Sequence, residues 1–415
     1  MGAPATGAGR VGEIRLNVES VADQNVSTPS TYWSSSTILR VMKPDPGKLV
    51  MDSEDDPAVV PNAQADSPRI TTGKGGTLPF QTYATGLSSK SQDNVATLRE
   101  GLGVLFAAAM GGESLGTSTT AAAASGPGAT SPLKVANAAG LNIGDAICWN
   151  GAARRIFGKA GNNLTLDMDL PGVPQFGDLI QAAATYYLNA DALQDLSNVG
   201  HLTLAALWRG YAAANQKQAR GCFPEFTFSD LGAKKIAKVD WTLYPQGWEY
   251  LAPGSVAAVS QPTPVTPPQQ TNSGFYCVAS GITANTPVAT KSIAINPGMK
   301  CVPQMSPSGE QGVIGHLVFG GRTLVEPEVY FDVAWNTGYE NRTSYAAGYQ
   351  IGKPTTAFGA MLLSFPNLSI DETPPNDQQA ADATFFKLKM HADWVSTAAT
   401  ALAQSKMSIH LFGHL

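Results

Sequence analysis

The sequence predicts a mainly β protein with one α-helix and a small inserted β-domain, and three observations carry that prediction. Short apolar–polar alternations recur along the chain, the clearest being Val239, Trp241 and Leu243 set against Asp240 and Thr242. One stretch, 94–112, has sustained helical spacing, with Val95, Leu98, Leu102, Leu105 and Phe106 ahead of the stop Gly111-Gly112. After it, the low-complexity run ESLGTSTTAAAASGPGATSP opens a stretch of short strands separated by turn signals at Asn150-Gly151, Gly161-Asn162 and Gly177-Asp178.

Each element follows in chain order. Met1 to Arg10 is a Gly/Ala-rich arm, and Ile14, Leu16 and Val18 mark a first strand, with a second at 37–42. The segment Asp52 to Arg69 carries Asp52, Glu54, Asp55, Asp56 and Asp66 among three prolines, so it is read as a long acidic loop. The GKGGT at 73–77 has neither P-loop spacing nor a GxGxxG order, and no phosphate site is assigned to it. The helix is expected to turn one apolar stripe toward a sheet. Residues 133–180 read as a small β-barrel or sandwich, taken as an insertion, with Arg154 and Arg155 on a solvated strand edge. As an exterior module joined at nearby ends, the whole insertion from Gly116 to Ala184 is expected to be replaceable by a short Gly/Ser linker.

HLTLAALW at 201–208 is assigned to a strand despite its helix-favouring Leu and Ala. The hairpin from Gly221 to Tyr250 follows, and the rest of the chain is organised around it. Val239, Trp241 and Leu243 give it a core face, and Lys234, Lys235 and Lys238 beside its turn would discourage edge pairing. Residues 253–273 form a Pro-rich connector that crosses the surface. Later strands are expected at 276–278, 292–295, 312–320, 328–335, 360–365, 383–392 and 408–412, with a loop at 336–352 holding Tyr339, Tyr345 and Tyr349.

Composition limits the function. Charged residues are 14% of the 415, well under the roughly 25% of soluble domains, which suits a surface that packs against copies of itself. A net charge of −5 excludes a globally basic nucleic-acid binder and argues against sequence-specific DNA reading, while leaving room for a local basic patch. Cys148, Cys222, Cys277 and Cys301 lack zinc-site spacing and read as free, buried thiols. No secretory leader and no membrane-length apolar run is present, so synthesis in the cytosol is expected and the Asn-X-Ser/Thr tripeptides are chance matches. The five histidines and the Asp371-Glu372 pair sit in no GxSxG or HExxH frame, so no catalytic, cofactor or metal residue is assigned.

The order of features resembles the tail tube (major tail) proteins of long-tailed bacteriophages. An N-terminal arm and two strands lead to a long loop, then to TLREGLGVLFAAAMG, then to the hairpin FTFSDLGAKKIAKVDWTLYPQGWEY. A late GAMLLSFPNLSI strand and a closing FFKLKMHADWV complete the likeness, which covers most of the chain outside the insertion. It implies a tail-tube-type β-sandwich with a flanking helix at 1–115 and 185–415, interrupted by the inserted domain at 116–184. It also implies rings, usually hexameric, stacked into a virion tube through which DNA passes without sequence-specific binding. Tape-measure, tail-terminator and distal-tail proteins would be its other partners. Some such proteins duplicate the fold and form trimeric rings; no internal repeat is visible in this sequence, which favours one copy and a hexamer. In a stacked tube the acidic loop would reach the next ring, Asp52, Glu54, Asp55, Asp56 and Asp66 meeting Lys234, Lys235 or Lys238 of a neighbour. The alternative is another phage-particle component: a decoration, baseplate, tail-terminator or receptor-binding protein.

Overall fold

The computed structural model of the chain describes residues 11–19, 32–33, 37–39, 41, 48–55, 69–87, 102–122, 124–189, 204–210, 216–252, 254–257, 273–279, 288–307, 312–330, 333–354, 359–372 and 385–413. At its centre β14 (Gln216–Ser229) and β15 (Lys238–Tyr244) pair antiparallel from Phe223↔Tyr244 to Ser229↔Lys238. Strand alternation puts Val239, Trp241 and Leu243 on one face, all fully buried, and leaves Asp240 and Thr242 half-buried on the other. The long β14 bends at Gly221, whose φ of +58 suits glycine and where a Cβ would lie 2.6 Å from Gln246. Up to Cys222 β14 pairs with β13 (Leu204–Gly210), and over 216–220 also with β16 (Gly247–Leu251); from Phe223 on it pairs with β15.

This hairpin belongs to an eight-stranded antiparallel sheet in the order β2 (Thr37–Leu39), β1 (Val11–Val18), β13, β14, β15, β4 (Arg69–Tyr83), β3 (Lys48–Asp55), with β16 beside β14. A second sheet has ten strands. Its main path is β18 (Thr290–Asn296), β21 (Thr323–Tyr330), β25 (Met390–Ala392), β23 (Ala360–Ile370), β26 (Ser408–Phe412), β12 (Ala184–Leu188), β5 (Gly111–Leu115). β17 (Gly274–Ala279) and β22 (Tyr345–Ile351) extend it from β23, and β24 (Phe385–Lys387) pairs with β21.

Both sheets contribute to one hydrophobic core, Phe80, Phe226 and Trp241 from the first and Tyr186, Phe365 and Ile409 from the second. Helix α1 (Leu102–Met110) lies within it, Phe106 standing edge-on to Phe226 at 5.3 Å and 6.2 Å from Tyr186. All nine residues of this helix are buried, which corrects the expected one-sided stripe over 102–110, while Val95 and Leu98 of that stripe lie outside the described residues. LGVLFAAAM has no polar side chain to present to water, so the helix must be covered on every side.

Four further expectations are corrected. Asp52 to Asp55 are not loop but the end of β3, paired with β4 in the register Asp52↔Gly73 to Asp55↔Arg69, so the acidic stretch enters a β-ribbon. The strand expected at 328–335 ends at Tyr330, and Val333–Glu340 form helix α2. The loop expected to follow contains β22, whose Tyr345, Ala347, Tyr349 and Ile351 all face inward. The strand expected at 383–392 is two short ones, β24 and β25, with Leu388 and Lys389 between them.

An order of elements also occurs twice. A long hairpin, a short helix and an antiparallel strand pair appear first as β3–β4, α1 and β5–β12. They reappear as β19 (Met299–Met305) with β20 (Val313–Gly320) leading to β21, then α2 and β22–β23.

The inserted module is a six-stranded sheet in the order β6 (Thr119–Thr120), β11 (Leu179–Ala182), β8 (Ala146–Trp149), β9 (Ala152–Ala160), β10 (Asn163–Leu166), β7 (Leu133–Lys134). Its edges join: Ala122 N–H donates to Lys134 O and Ala136 N–H to Thr120 O, both at 2.8 Å, so the sheet closes into a small barrel. Leu133, Leu141, Ile147, Ile156, Leu164 and Ile180 fill a core separate from that of the two large sheets. The β5–β12 pair runs straight into it, Gly116 N–H donating to Ala183 O at 3.1 Å.

Candidate assembly surfaces

The turn of the β14–β15 hairpin holds the three lysines. Lys238 Nζ lies 2.6 Å from one Asp230 carboxylate oxygen and Lys235 Nζ 3.4 Å from the other. Asp230 is held below the usual carboxylate range chiefly by the hydrogen bond from Lys238, whose own pKa rises in turn. Two of the three basic groups expected to meet a neighbour's acids are therefore met within the chain. Lys234, exposed and at a φ of +64, is the one the turn displays. The turn is itself tied to the second sheet, Ala233 N–H donating to Lys291 O and Ile293 N–H to Leu231 O.

Of the acids expected opposite them, Asp52, Glu54 and Asp55 lie on β3, and Asp56 and Asp66 lie outside the described residues. β4 links this ribbon to the core. Its residues 78–83 pair with β15 and its residues 69–77 with β3, so one continuous strand joins the core hairpin at one end and the ribbon at the other.

On the second sheet a band of opposite charges crosses the strands. Lys291 pairs with Glu328 at 2.9 Å, Lys387 with Glu326, Lys389 with Glu372 at 2.7 Å and Arg322 with Asp371 at 2.6 Å. His391 sits between two carboxylates, Nδ1 2.6 Å from Asp371 and Nε2 2.9 Å from Asp393. Sequence reasoning passed over this band. The signal was present in TLVEPEVY, where Glu326 and Glu328 alternate with Val325 and Val329.

The small barrel covers part of the second sheet's outer face. Ala146, Cys148, Ala153 and Met168 pack on Tyr276, Val278, Leu362 and Phe412. Arg154 and Arg155 lie in this contact, 6% and 3% exposed, which corrects the solvated-edge expectation. The Arg154 guanidinium stands 4.9 Å from the Tyr276 ring centroid, and Arg155 Nη2 donates to Ala403 O at 3.2 Å. Asp167 accepts from Tyr276 OH at 3.0 Å and from Arg155 N–H at 3.1 Å. Burial pushes the Asp145 and Asp167 carboxyls up, against hydrogen bonds from Ser114 to the first and the charge of Arg154 beside the second. Beneath them His410 bridges two hydroxyls, Nδ1 to Thr185 at 2.9 Å and Nε2 to Ser364 at 2.7 Å, and burial followed by the charge of Arg155 holds its pKa well below the ordinary value. Such a joint is not a loose tether, and the expectation that a linker could replace the module does not fit it.

Between the barrel, the sheet and residues 395–403 runs a groove of about 1370 Å³, with Arg155 and Asp167 lining it together with Ile143, Phe157 and Tyr187. Thr400 caps the short helix α3 (Ala401–Gln404) on its rim, accepting from Ala403 N–H.

Among the described residues, no group of three or more His, Cys, Asp or Glu is placed to hold a metal ion, and no helix is long and apolar enough to cross a membrane. The four cysteines are free thiols; Cys148, Cys222 and Cys301 are buried and Cys277 is half-buried. No protein-family model matches the chain, and no curated protein matches it.

Proposed function

We propose that the chain is a structural subunit that assembles with copies of itself into stacked rings, forming a tube of the phage-tail type. The observation that carries this reading is β4, which is anchored in the core through β15 and continues beyond that pairing as one strand of the β3–β4 ribbon. A contact arm made as an extension of a core strand transmits load from one subunit to the next without a hinge. The charge band supports the same reading. Its acids are met by cations of the same chain, so a wall built from this face offers passing DNA neither a net basic surface to stick to nor isolated carboxylates.

The repeated order of hairpin, helix and strand pair favours a ring of three chains over the six expected from sequence, because two copies of the plan per chain give six similar positions from three subunits. Negative-stain images and the mass of a single ring test both parts. Tubes with three chains per ring are the expected result; a protein that stays monomeric at high concentration and low salt would overturn the tube reading.

A further inference from the structure

The small barrel carries two apolar features that stand exposed among the described residues. The first is the loop leading into β11, where Val173 is 49% exposed and Phe176 81%, with Leu179, the first residue of β11, 54% exposed. This loop is held rigid. Asp178 accepts from Gln175 N–H at 2.8 Å and from Trp149 Nε1–H at 3.1 Å, while Gly177 N–H donates to Ala121 O at 3.0 Å. A pre-formed apolar apex loses little conformational entropy on binding. The second feature is the groove, where Phe157 is 59% exposed and Ile143 38%.

The two lie toward opposite ends of β9. The loop packs by Trp149, just before the strand begins, and the groove extends past Phe157 and Lys159 to Gly161, just after it ends. A convex and a concave patch at opposite ends of one rigid body can meet only between different copies, in a head-to-tail contact. Charge agrees. Residues 171–179 hold one charged side chain, Asp178, already engaged within the loop, and the groove rim at 395–403 holds none. The groove wall does hold charges, Glu113, Arg155, Lys159 and Asp167, but Arg155 is buried, Asp167 accepts from Tyr276 and Arg155, and Lys159 donates to Ala138 O and Leu141 O, which leaves the apolar side chains for contact, as at the centres of protein interfaces.

We propose that the loop carrying Phe176 docks in the groove beside Phe157 of a second copy of this chain. Three side chains bury far less than the roughly 1,600 Å² of a stable pair, so the contact adds to a larger interface between copies and gains its effect by repetition. It requires self-association of the chain but not a tube: closed oligomers would overturn the tube reading and leave this contact standing.

The test uses the full-length chain. Phe176→Asp is expected to raise the concentration needed for self-association about tenfold, read by light scattering, with an unchanged melting temperature because the ring is exposed. In a second arm, a Phe176→Cys chain is mixed with an Ala399→Cys chain and treated with a short bismaleimide; a cross-linked pair is expected that neither variant nor the parent gives alone. Self-association unaffected by Phe176→Asp, absence of the mixed cross-link, or a chain that never self-associates would each overturn the proposal. A variant that assembles normally but loses adsorption to phospholipid vesicles or bacterial cells would assign the loop to a different partner.

Discussion

The indole N–H of Trp241 donates to the hydroxyl of Thr82 at 2.9 Å, joining β15 to β4 beneath the core, and both side chains are buried. The Trp241 ring lies 5.0 Å from Phe106 and 5.3 Å from Phe226, so it touches the helix and its own hairpin partner together. Trp241→Ala is expected to cost about 3–5 kcal/mol by removing that volume. Thr82→Val, which leaves the indole N–H unpartnered, is expected to cost about 1–3 kcal/mol. Urea unfolding measures both, and a Trp241→Ala chain of unchanged midpoint would put this face outside the core.

The barrel joint yields a second prediction. Asp167→Ala leaves Arg154 and Arg155 buried without their carboxylate and is expected to destabilise by about 3–5 kcal/mol. Replacing 117–182 by a Gly/Ser linker uncovers Tyr276, Val278, Leu362 and Phe412, and the product is expected to aggregate rather than form ordered rings. Ordered rings from that deletion would show the joint to be dispensable.

His410 sets a pH dependence. Its folded pKa lies well below the ordinary 6.5, so in the window beneath 6.5 the unfolded chain binds the proton that the folded chain refuses. Stability from this group is therefore present above 6.5 and falls on acidification, by about 1.4 kcal/mol per pH unit, down to the folded pKa. Asp145 and Asp167, raised by burial, act in the opposite sense above the ordinary 3.8, binding protons more readily when folded. The difference in stability between the parent and His410→Gln isolates the histidine. That difference is expected to shrink as pH drops below 6.5, and a difference independent of pH would mean that folding leaves the proton affinity of His410 unchanged.

The ribbon can be shortened at its own register. Val50 faces Gly75, so replacing 51–74 with a two-residue turn keeps the 78–83 end of β4 in the core. A folded protein that forms single rings or monomers is the expected product, and raised salt should weaken parent stacking by screening charge contacts between rings. Lys234→Glu is expected to weaken stacking more than the same change at Lys235, whose partner is Asp230. Tubes of normal length from the shortened chain would take the ribbon out of the stacking mechanism.

What the sequence made legible depended on whether one face of an element stays wet. Val239, Trp241 and Leu243 could be read because Asp240 and Thr242 mark the other side. β22 could not be, because Ala347, Gly348, Tyr349, Gln350 and Ile351 are all buried and leave no alternation to find. Gly348 looked like a loop residue, yet it is there because a Cβ would fall 2.4 Å from the Tyr276 ring. Arg154 and Arg155 were misplaced for a different reason. One of the partners that make their burial tolerable, Tyr276, lies in another sheet more than 100 residues along the chain, beyond any local pattern. The stacking acids Asp56 and Asp66 lie outside the described residues, so the contact expected of them rests on sequence alone.

The pairing of β5 with β12 also bears on how the chain folds. The two strands are separated by residues 116–183, and closing a flexible loop of roughly 70 residues costs about 2 kcal/mol more than closing one of five. A barrel that folds first removes that search, since it delivers Gly116 and Ala183 already hydrogen-bonded to each other. In that order of events the module would serve as a nucleus for the second sheet. Loosening its interior at Ile156 should slow the folding of strands that Ile156 never touches.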